Sequence, residues 1–526
     1  MYGKQFFLSG GDVYMLQVKN LTMVNKTDGR VMLEDFNLTV NDGEKAALIG
    51  EEGNGKSTLL KWIYDPSLVS SYMEISGERS CAAKIGWLPQ MLQKEDEEKS
   101  VYEFMCEEDG FLAGGSLLND LLLETGLSYD LIYSEQKMKT LSGGEKVKVE
   151  LCRILLGQPG VLLLDEPSND LDLSTLKWLE GMIHKASQAV LFISHDEVLL
   201  SHCAEKIVHI ELLHRKAKSR YTVVRMGYDD YLKNRSRLFE KQAQVAQGER
   251  REKKIRDEKL SRIYSSVAYD LHNVSRQDPH TGYLLKKKMR AVKSMAKRNA
   301  KADENMTEMP ESEEAISFFF PEEIRFPEGK RVLAAVYKKI ETPDGRVLSR
   351  NVSLNISGPR KVCIIGPNGC GKTTLLRQIA RDLLARQDIH AACMPQNYME
   401  SLPEMTPVQF LSDGTREGDT RAGNLLGAMR YTSDEMTHSL HELSSGQMAK
   451  VLFLKMNLEK ADVLLLDEPT RNFSPLSAPV IRHVIQSYGG CVIAVSHDRM
   501  FIKECFDVIY QLNEAGLEKV EAADVL

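Results

Sequence analysis

The apolar positions of this chain follow two rhythms. Short unbroken runs, such as VLLLDEP at Val161 and again at Val463, are strand-length and hydrophobic on consecutive residues, the pattern of a parallel strand buried on both faces. Between residues 232 and 305 the rhythm changes. Leu260, Ile263, Val267 and Leu271, then Leu285, Met289, Val292 and Ala296, step by threes and fours, which makes narrow stripes along helices. The breaker-rich RQDPHTG between them, with Pro279 and Gly282 in it, predicts an antiparallel helical hairpin with its tip at residues 272–283. A first arm from Tyr231 to Val267 would reach about 55 Å at 1.5 Å per residue.

The buried-strand pattern occurs twice because the chain contains a duplication. GEEGNGKST at Gly50 returns as GPNGCGKTT at Gly366, with an offset of 316 at Lys56 and Lys372. The offset is 306 at Gln90 and Gln396, then 302 at Ser142/Ser444, Asp165/Asp467 and His195/His497. The copies therefore differ only by small insertions in their first halves. Each reads as strand, phosphate loop, helix, a helical middle and a buried strand before an acidic pair. The expected fold class is α/β, with two tandem nucleotide-binding domains over 15–227 and 311–526 joined by a long α-helical hairpin over 228–310. Residues 1–14 read as an extension before the fresh start MLQVKNLTM, and KADENMTEMPESEE reads as an acidic return to the second copy.

Charge sharpens this division. The net charge of −7 conceals a segment, 232–305, with 20 Lys and Arg against nine Asp and Glu, a net +11, inside a remainder of net −18. A basic segment in an acidic protein points to a polyanion met by that segment alone, and phosphate backbones are the usual partner. At 526 residues, 42% hydrophobic and 27% charged, the chain has the composition of a multidomain globular protein. No run approaches the ~18 apolar residues of a membrane span, and MYGKQFFLSGGD lacks the order of a secretory leader, so a cytoplasmic protein without membrane contact is expected. Nine cysteines scattered without a CxxC pair argue against a zinc module or an iron–sulfur cluster.

The repeated motifs carry the chemistry. A GxxxxGK[ST] loop opening a helix wraps backbone amides around phosphates at the positive end of the helix dipole. Here the loops place Gly50, Gly53, Gly55, Lys56, Ser57 and Thr58 in the first copy, and Gly366, Gly369, Gly371, Lys372, Thr373 and Thr374 in the second. The lysines should reach the β- and γ-phosphates of ATP, and Ser57 and Thr373 should hold Mg2+. Asp165 and Asp467, at the ends of buried strands, suit a magnesium shell. Glu166 and Glu468 follow at once, placed to polarise an attacking water.

LSGGE at Leu141 and LSSGQ at Leu443 resemble the signature loop of ATP-binding cassette (ABC) proteins. The resemblance implies that Ser142, Gly143, Gly144, Ser444, Ser445 and Gly446 bind ATP. It also makes Gln90 in WLPQ and Gln396 in CMPQ the Q-loop glutamines, which reach the metal, and His195 in ISHD and His497 in VSHD the catalytic switch histidines. In the family the copies close head to tail, so Lys56 would face Ser444 and Lys372 would face Ser142, burying two ATP molecules. The second copy departs from the pattern: PTRNFSP stands where the first has PSNDLD, and Asp172 of the D-loop aligns with Ser474. Different turnover at the two sites is therefore expected. No aromatic for the adenine base is evident; Thr27 stands where the first copy would carry one.

Two copies in one chain, a basic hairpin between them and YDDYLK at Tyr228 leading into it look like the ABC-F branch. That resemblance implies a partner, the ribosome, with the hairpin in the tRNA exit site against ribosomal RNA and P-site tRNA. Arg276, Lys286, Lys287, Lys288, Arg290, Lys293, Lys297 and Arg298 would then contact phosphates, and His272, His280 and Tyr283 could stack on bases or simply pack the tip. The Q-loop-to-signature interval is 52 residues in the first copy and 48 in the second, and 29 residues follow His497. Neither leaves room for an arm or a long tail, which looks more like antibiotic-resistance members that rescue drug-stalled ribosomes than like housekeeping translation factors. Two alternatives remain: a tandem ATPase subunit of an importer, which lacks a basic segment between its copies, and a DNA-repair ATPase of the same superfamily, which usually carries zinc-binding cysteine clusters or very long coiled coils. A monomer is expected when both copies share a chain.

Overall fold

A computed structural model describes residues 14–522 apart from 114, 170, 214–217, 274–278, 304–305, 311–325, 343–344 and 430. It divides into two compact units, one of Met1–Tyr228 with Glu313–Leu526 and one of Asp229–Ser312. The first unit holds both copies of the repeat.

Each copy is built on a six-stranded sheet of the same order. In the first copy the strands run Ile85–Leu88, Val161–Asp165, Ala189–Ile193, Lys45–Ile49, Lys206–Leu212 and Lys218–Val224 across the sheet. Five are parallel and the last is antiparallel. The second copy repeats this with Ala391–Met394, Val463–Asp467, Cys491–Val495, Lys361–Ile365, Val508–Asn513 and Gly516–Val520. Every residue of the strands Val161–Asp165 and Val463–Asp467 is buried, which is why they read as unbroken apolar runs. A smaller antiparallel sheet flanks each copy, Val31–Asn41, Tyr14–Asn25 and Met73–Cys81 in the first, Arg331–Glu341 with Val347–Ser357 in the second. The first of these includes Met15, where the sequence suggests a fresh start; residues 1–13 lie outside the described residues.

The phosphate loops leave the central strands and enter the helices Lys56–Tyr64 and Lys372–Leu384. Glycine is required at the turn: Gly50 has φ 146°, and a Cβ there would lie 2.2 Å from the carbonyl oxygen of Ile210. Gly366 repeats the conflict at 2.4 Å from Leu512.

The two copies meet through charges that obey the repeat. At the offset of 302, Glu180 corresponds to Arg482 and Glu197 to Arg499. Arg482 pairs with Glu197, Nη2 to Oε2 at 3.1 Å, and Arg499 pairs with Glu180 and, at 3.0 Å, with Asp196. Both arginines are nearly buried. A two-fold contact requires position i to meet j and j to meet i; here both positions are acidic in the first copy and basic in the second. Pairing first with first would set Glu against Glu, and second with second Arg against Arg. Charge thus specifies that unlike copies pair.

In the other unit, the helices Tyr228–Asn273 and Pro279–Asp303 form the expected hairpin. Ala246, Val267, Leu285 and Val292 are buried in it, and Lys253 and Arg256 of the first arm both pair with Asp303 of the second. Three sequence expectations are corrected. The first helix, at 46 residues, is about 70 Å long rather than about 55 Å. The tip is narrower than 272–283, because Pro279 is the first residue of its helix, where a missing N–H costs nothing, and Gly282 continues it. Ile263 is 38% exposed and drops out of the apolar stripe. Of the acidic return, residues 301–303 close the second helix and 306–310 lie along the first, the Thr307 N–H donating to Glu249 at 2.6 Å and Gln242 to the Glu308 carbonyl at 3.0 Å, while 304–305 and 311–314 lie outside the described residues.

Reversing Arg482→Glu and Arg499→Glu together should lower the unfolding midpoint and the ATP turnover, since an uncompensated buried charge costs about 3–5 kcal/mol. Adding Glu180→Arg and Glu197→Arg should recover much of both. A quadruple variant no better than the double, by calorimetry and ATPase assay, would sink the charge code.

Candidate active site

The signature loops owe their form to helix capping. Ser142 caps the helix Gly143–Leu156, its hydroxyl accepting from the Glu145 N–H while the Glu145 carboxylate accepts from the Ser142 N–H at 3.0 Å. Ser444 and Gln447 repeat this reciprocal box for the helix Ser445–Leu458. The motif S-x-x-E/Q is therefore a helix start, and it leaves the positive end of a 14-residue helix free to face an anion.

Each phosphate loop faces the signature helix of the other copy. A cleft of about 700 Å³ is lined by Gly53, Gly55, Lys56, Ser57, Thr58, Gln90, Glu166 and His195 from the first copy and by Ser445, Arg471 and Asn472 from the second. A second cleft, about 570 Å³, brings Gly369, Gly371, Lys372, Thr373, Thr374, Gln396, Asp467, Glu468 and His497 together with Ser142 and Gly143. Gly144 lines an adjoining hollow with Pro367 and Asn368. Gln396 borders both clefts. Thr27 lines neither; the first cleft has Met32 on its wall, and the second has Leu348 and Arg346.

Local geometry is nearly identical at the two lysines. Lys56 Nζ donates to the carbonyls of Gly50 and Glu51 at 2.8 and 2.9 Å, and Lys372 Nζ to those of Gly366 and Pro367, both at 2.8 Å. Ser57 Oγ lies 2.9 Å from Asp165 Oδ1, and Thr373 Oγ1 lies 3.3 Å from Asp467 Oδ1. Burial pushes the Asp165 carboxyl up to about 6 and that of Asp467 upward too. Asp165 Oδ2 is buried with no hydrogen-bond partner among the described residues. An all-oxygen set with one carboxylate oxygen unsatisfied fits Mg2+.

The carboxylates after these aspartates share a strained backbone, φ 51° at Glu166 and 50° at Glu468, which aims the side chains at the clefts. Their surroundings differ. His195 Nε2 is 2.9 Å from Glu166 Oε1, and its Nδ1 is 2.6 Å from the carbonyl oxygen of Phe473 in the other copy. Asn169 and Gln90 both donate to Glu166 Oε2, at 2.5 and 3.2 Å. Burial opposes charge here, but the mutual attraction prevails: Glu166 falls to about 2 and His195 rises. In the second copy His497 Nε2 stands 3.8 Å from Glu468 Oε1, and its buried Nδ1 has no hydrogen-bond partner among the described residues. Burial and Asp467 push Glu468 up to about 8, while burial and Lys372 push His497 down to about 3. Arg471 replaces Asn169, and Leu171 corresponds to Phe473. The aligned strings PSNDLD and PTRNFSP contain all three replacements, Asp172 to Ser474 among them, but not their effect, which depends on which copy each residue faces.

Among the hairpin candidates, Lys286, Lys287, Lys288, Arg290, Lys293, Lys297 and Arg298 all lie along the second arm, with their side chains largely toward solvent, and His272, His280 and Tyr283 flank the tip; Arg276 lies outside the described residues.

Because only the first dyad is assembled, Glu166→Gln should lower turnover at saturating ATP by about tenfold more than Glu468→Gln, within the range of a lost general base. Single-variant ATPase rates check this; equal losses would count against it.

A family profile described as "ABC transporter" matches residues 33–169 and 349–471. Among similar proteins, ABC transporter F family member 2 of Arabidopsis thaliana is 29% identical, over 93% of this chain and 75% of its own. Ribosome protection protein VmlR of Bacillus subtilis (strain 168) is 27% identical over 96% and 88%, and ATP-binding protein Uup of Escherichia coli (strain K12) is 25% identical over 90% and 76%. In fold, the chain is similar to an archaeal ribosome recycling factor, aABCE1, solved with the ribosomal stalk protein aP1, at a TM-score of 0.59 and 17% identity, covering 95% of this chain and 89% of that one. No helix among the described residues is long and apolar enough to cross a membrane. With two sheets of one order, two phosphate-loop clefts each completed by the opposite signature helix, and relatives that span both copies and the hairpin, this chain is an ATP-hydrolysing member of the ABC-F family.

Proposed function

We propose that this chain binds the ribosome's tRNA exit site while two ATP molecules hold its copies together, and hydrolyses ATP to leave. The observation that carries this reading is the row of seven lysines and arginines, from Lys286 to Arg298, on one 25-residue helix, within a segment of net +11. Folded RNA rewards such a row by releasing condensed counterions. A relative covering 96% of the chain is named a ribosome protection protein, which supports a role in shielding ribosomes from peptidyl-transferase-centre antibiotics.

The clefts supply the energy-coupled step. Lys56 and Lys372, already oriented by loop carbonyls, would meet the β- and γ-phosphates. Ser57 with Asp165 and Thr373 with Asp467 would hold Mg2+, with Gln90 and Gln396 reaching it; the metal supplies neutralisation of charge on the phosphate oxygens. Glu166 would orient water and accept its proton, with His195 bridging Glu166 to the carbonyl of Phe473. Loss of the γ-phosphate would remove the anion shared by a lysine of one copy and a signature helix of the other, and the two copies would part.

Two measurements test the reading. The Glu166→Gln, Glu468→Gln double variant should co-sediment with ribosomes only with ATP, and less at higher salt; failure to pellet under every condition would overturn it. Replacing Lys286, Lys287, Lys288 and Arg290 by glutamine should spare nucleotide binding and flatten the salt dependence by about 0.7–0.9 for each phosphate that is no longer neutralised. An unchanged slope would remove these side chains from the interface.

A further inference from the structure

The two phosphate loops differ in charge at the two residues after their first glycine: Glu51 and Glu52 in the first copy, Pro367 and Asn368 in the second. Both glutamates cross to the other copy. Glu52 Oε1 accepts from the Ser445 hydroxyl and Oε2 from the Gly446 N–H, each at 2.6 Å. Glu51 Oε1 accepts from the Ser474 hydroxyl at 2.6 Å and from that of Ser477, while its Oε2 lies 3.8 Å from Lys450 Nζ. Ser445 and Gly446 open the signature helix Ser445–Leu458, so Glu52 places two anionic oxygens on a hydroxyl and a backbone N–H at the positive end of a helix. A terminal phosphate takes the same kind of seat. A Cβ on Gly446 would lie 3.0 Å from Glu52 Oε2 and 2.6 Å from the carbonyl oxygen of Asn472, so this approach depends on glycine.

We propose that Glu52 competes with the γ-phosphate of ATP for the signature seat of the first cleft. The proposal rests on the reading of both clefts as ATP sites. A triphosphate entering beside Lys56 must displace the carboxylate, and a diphosphate leaves it in place. The first cleft therefore discriminates against ATP relative to ADP. When the copies meet again without a triphosphate, Glu52 takes the seat and Glu51 returns to Ser474 and Ser477. The second cleft, with Pro367 and Asn368 at these positions, has no such competitor among the described residues and holds ATP more tightly. The clefts differ in nucleotide preference as well as in their catalytic dyads.

The test uses the full-length chain carrying Lys372→Ala and Glu166→Gln, so that binding reports the first cleft without turnover. Fluorescent ATP and ADP analogues are titrated in the presence of Mg2+. Glu52→Gln, and separately Glu52→Asn, the residue of the second copy, should each tighten the triphosphate by about tenfold, or about 1.4 kcal/mol, with the diphosphate nearly unmoved. Two substitutions guard against one that misfolds. If triphosphate and diphosphate shift together, or neither shifts, while Lys56→Ala abolishes binding, Glu52 is not a competitor. If Lys56→Ala leaves binding intact, the cleft is not a nucleotide site, and the assignment and the proposal fall together.

Discussion

The structure depends on one constraint: neither copy has all the groups needed to surround a triphosphate. A phosphate loop supplies a lysine and a ring of amides on one side, and the dipole of the signature helix must come from the other side and the other copy. Every other feature of the first unit serves that juxtaposition. The buried parallel strands set the loops at their C-terminal ends, the capping boxes at Ser142 and Ser444 start the signature helices facing the opposite loops, and the swapped charges at Glu180, Glu197, Arg482 and Arg499 bring unlike copies together.

The duplication has then been put to unequal use. Both copies keep the lysine, the aspartate, the glutamate and the histidine, with matching distances around Lys56 and Lys372. What differs lies a few residues away or across the interface. Phe473 offers a carbonyl to His195, whereas His497 Nδ1 has no hydrogen-bond partner among the described residues. Asn169 hydrogen-bonds Glu166, whereas its counterpart is the cation Arg471. The first loop brings two carboxylates to the interface and the second, with Pro367 and Asn368, has none at those positions. With the motif residues kept and their surroundings changed, the two clefts are unlike.

Much of this is legible in the sequence. The phosphate loops, the acidic pairs and the signature boxes are local: each is a contiguous run whose chemistry follows from backbone geometry over a short stretch of chain, and the duplication exposes them by repeating them. The fold class follows from apolar runs too continuous for half-buried strands, and the hairpin from a change of period with a reversal of charge. Where sequence and structure part, local signals are ambiguous. Pro279 serves equally as a helix breaker and a helix starter, and Ile263 fits a three-and-four stripe although a 46-residue helix carries it toward solvent.

The sequence by itself determined which residues could bind phosphate, where the two copies begin to repeat and which segment carries the positive charge, because all three are written in contiguous residues. Only the tertiary structure decided that Glu51 and Glu52 reach across to Ser445, Gly446 and Ser474, that His195 meets Phe473, and that Arg482 and Arg499 answer Glu197 and Glu180. Those contacts join residues hundreds of positions apart, between surfaces that come into register only when two folded copies pack.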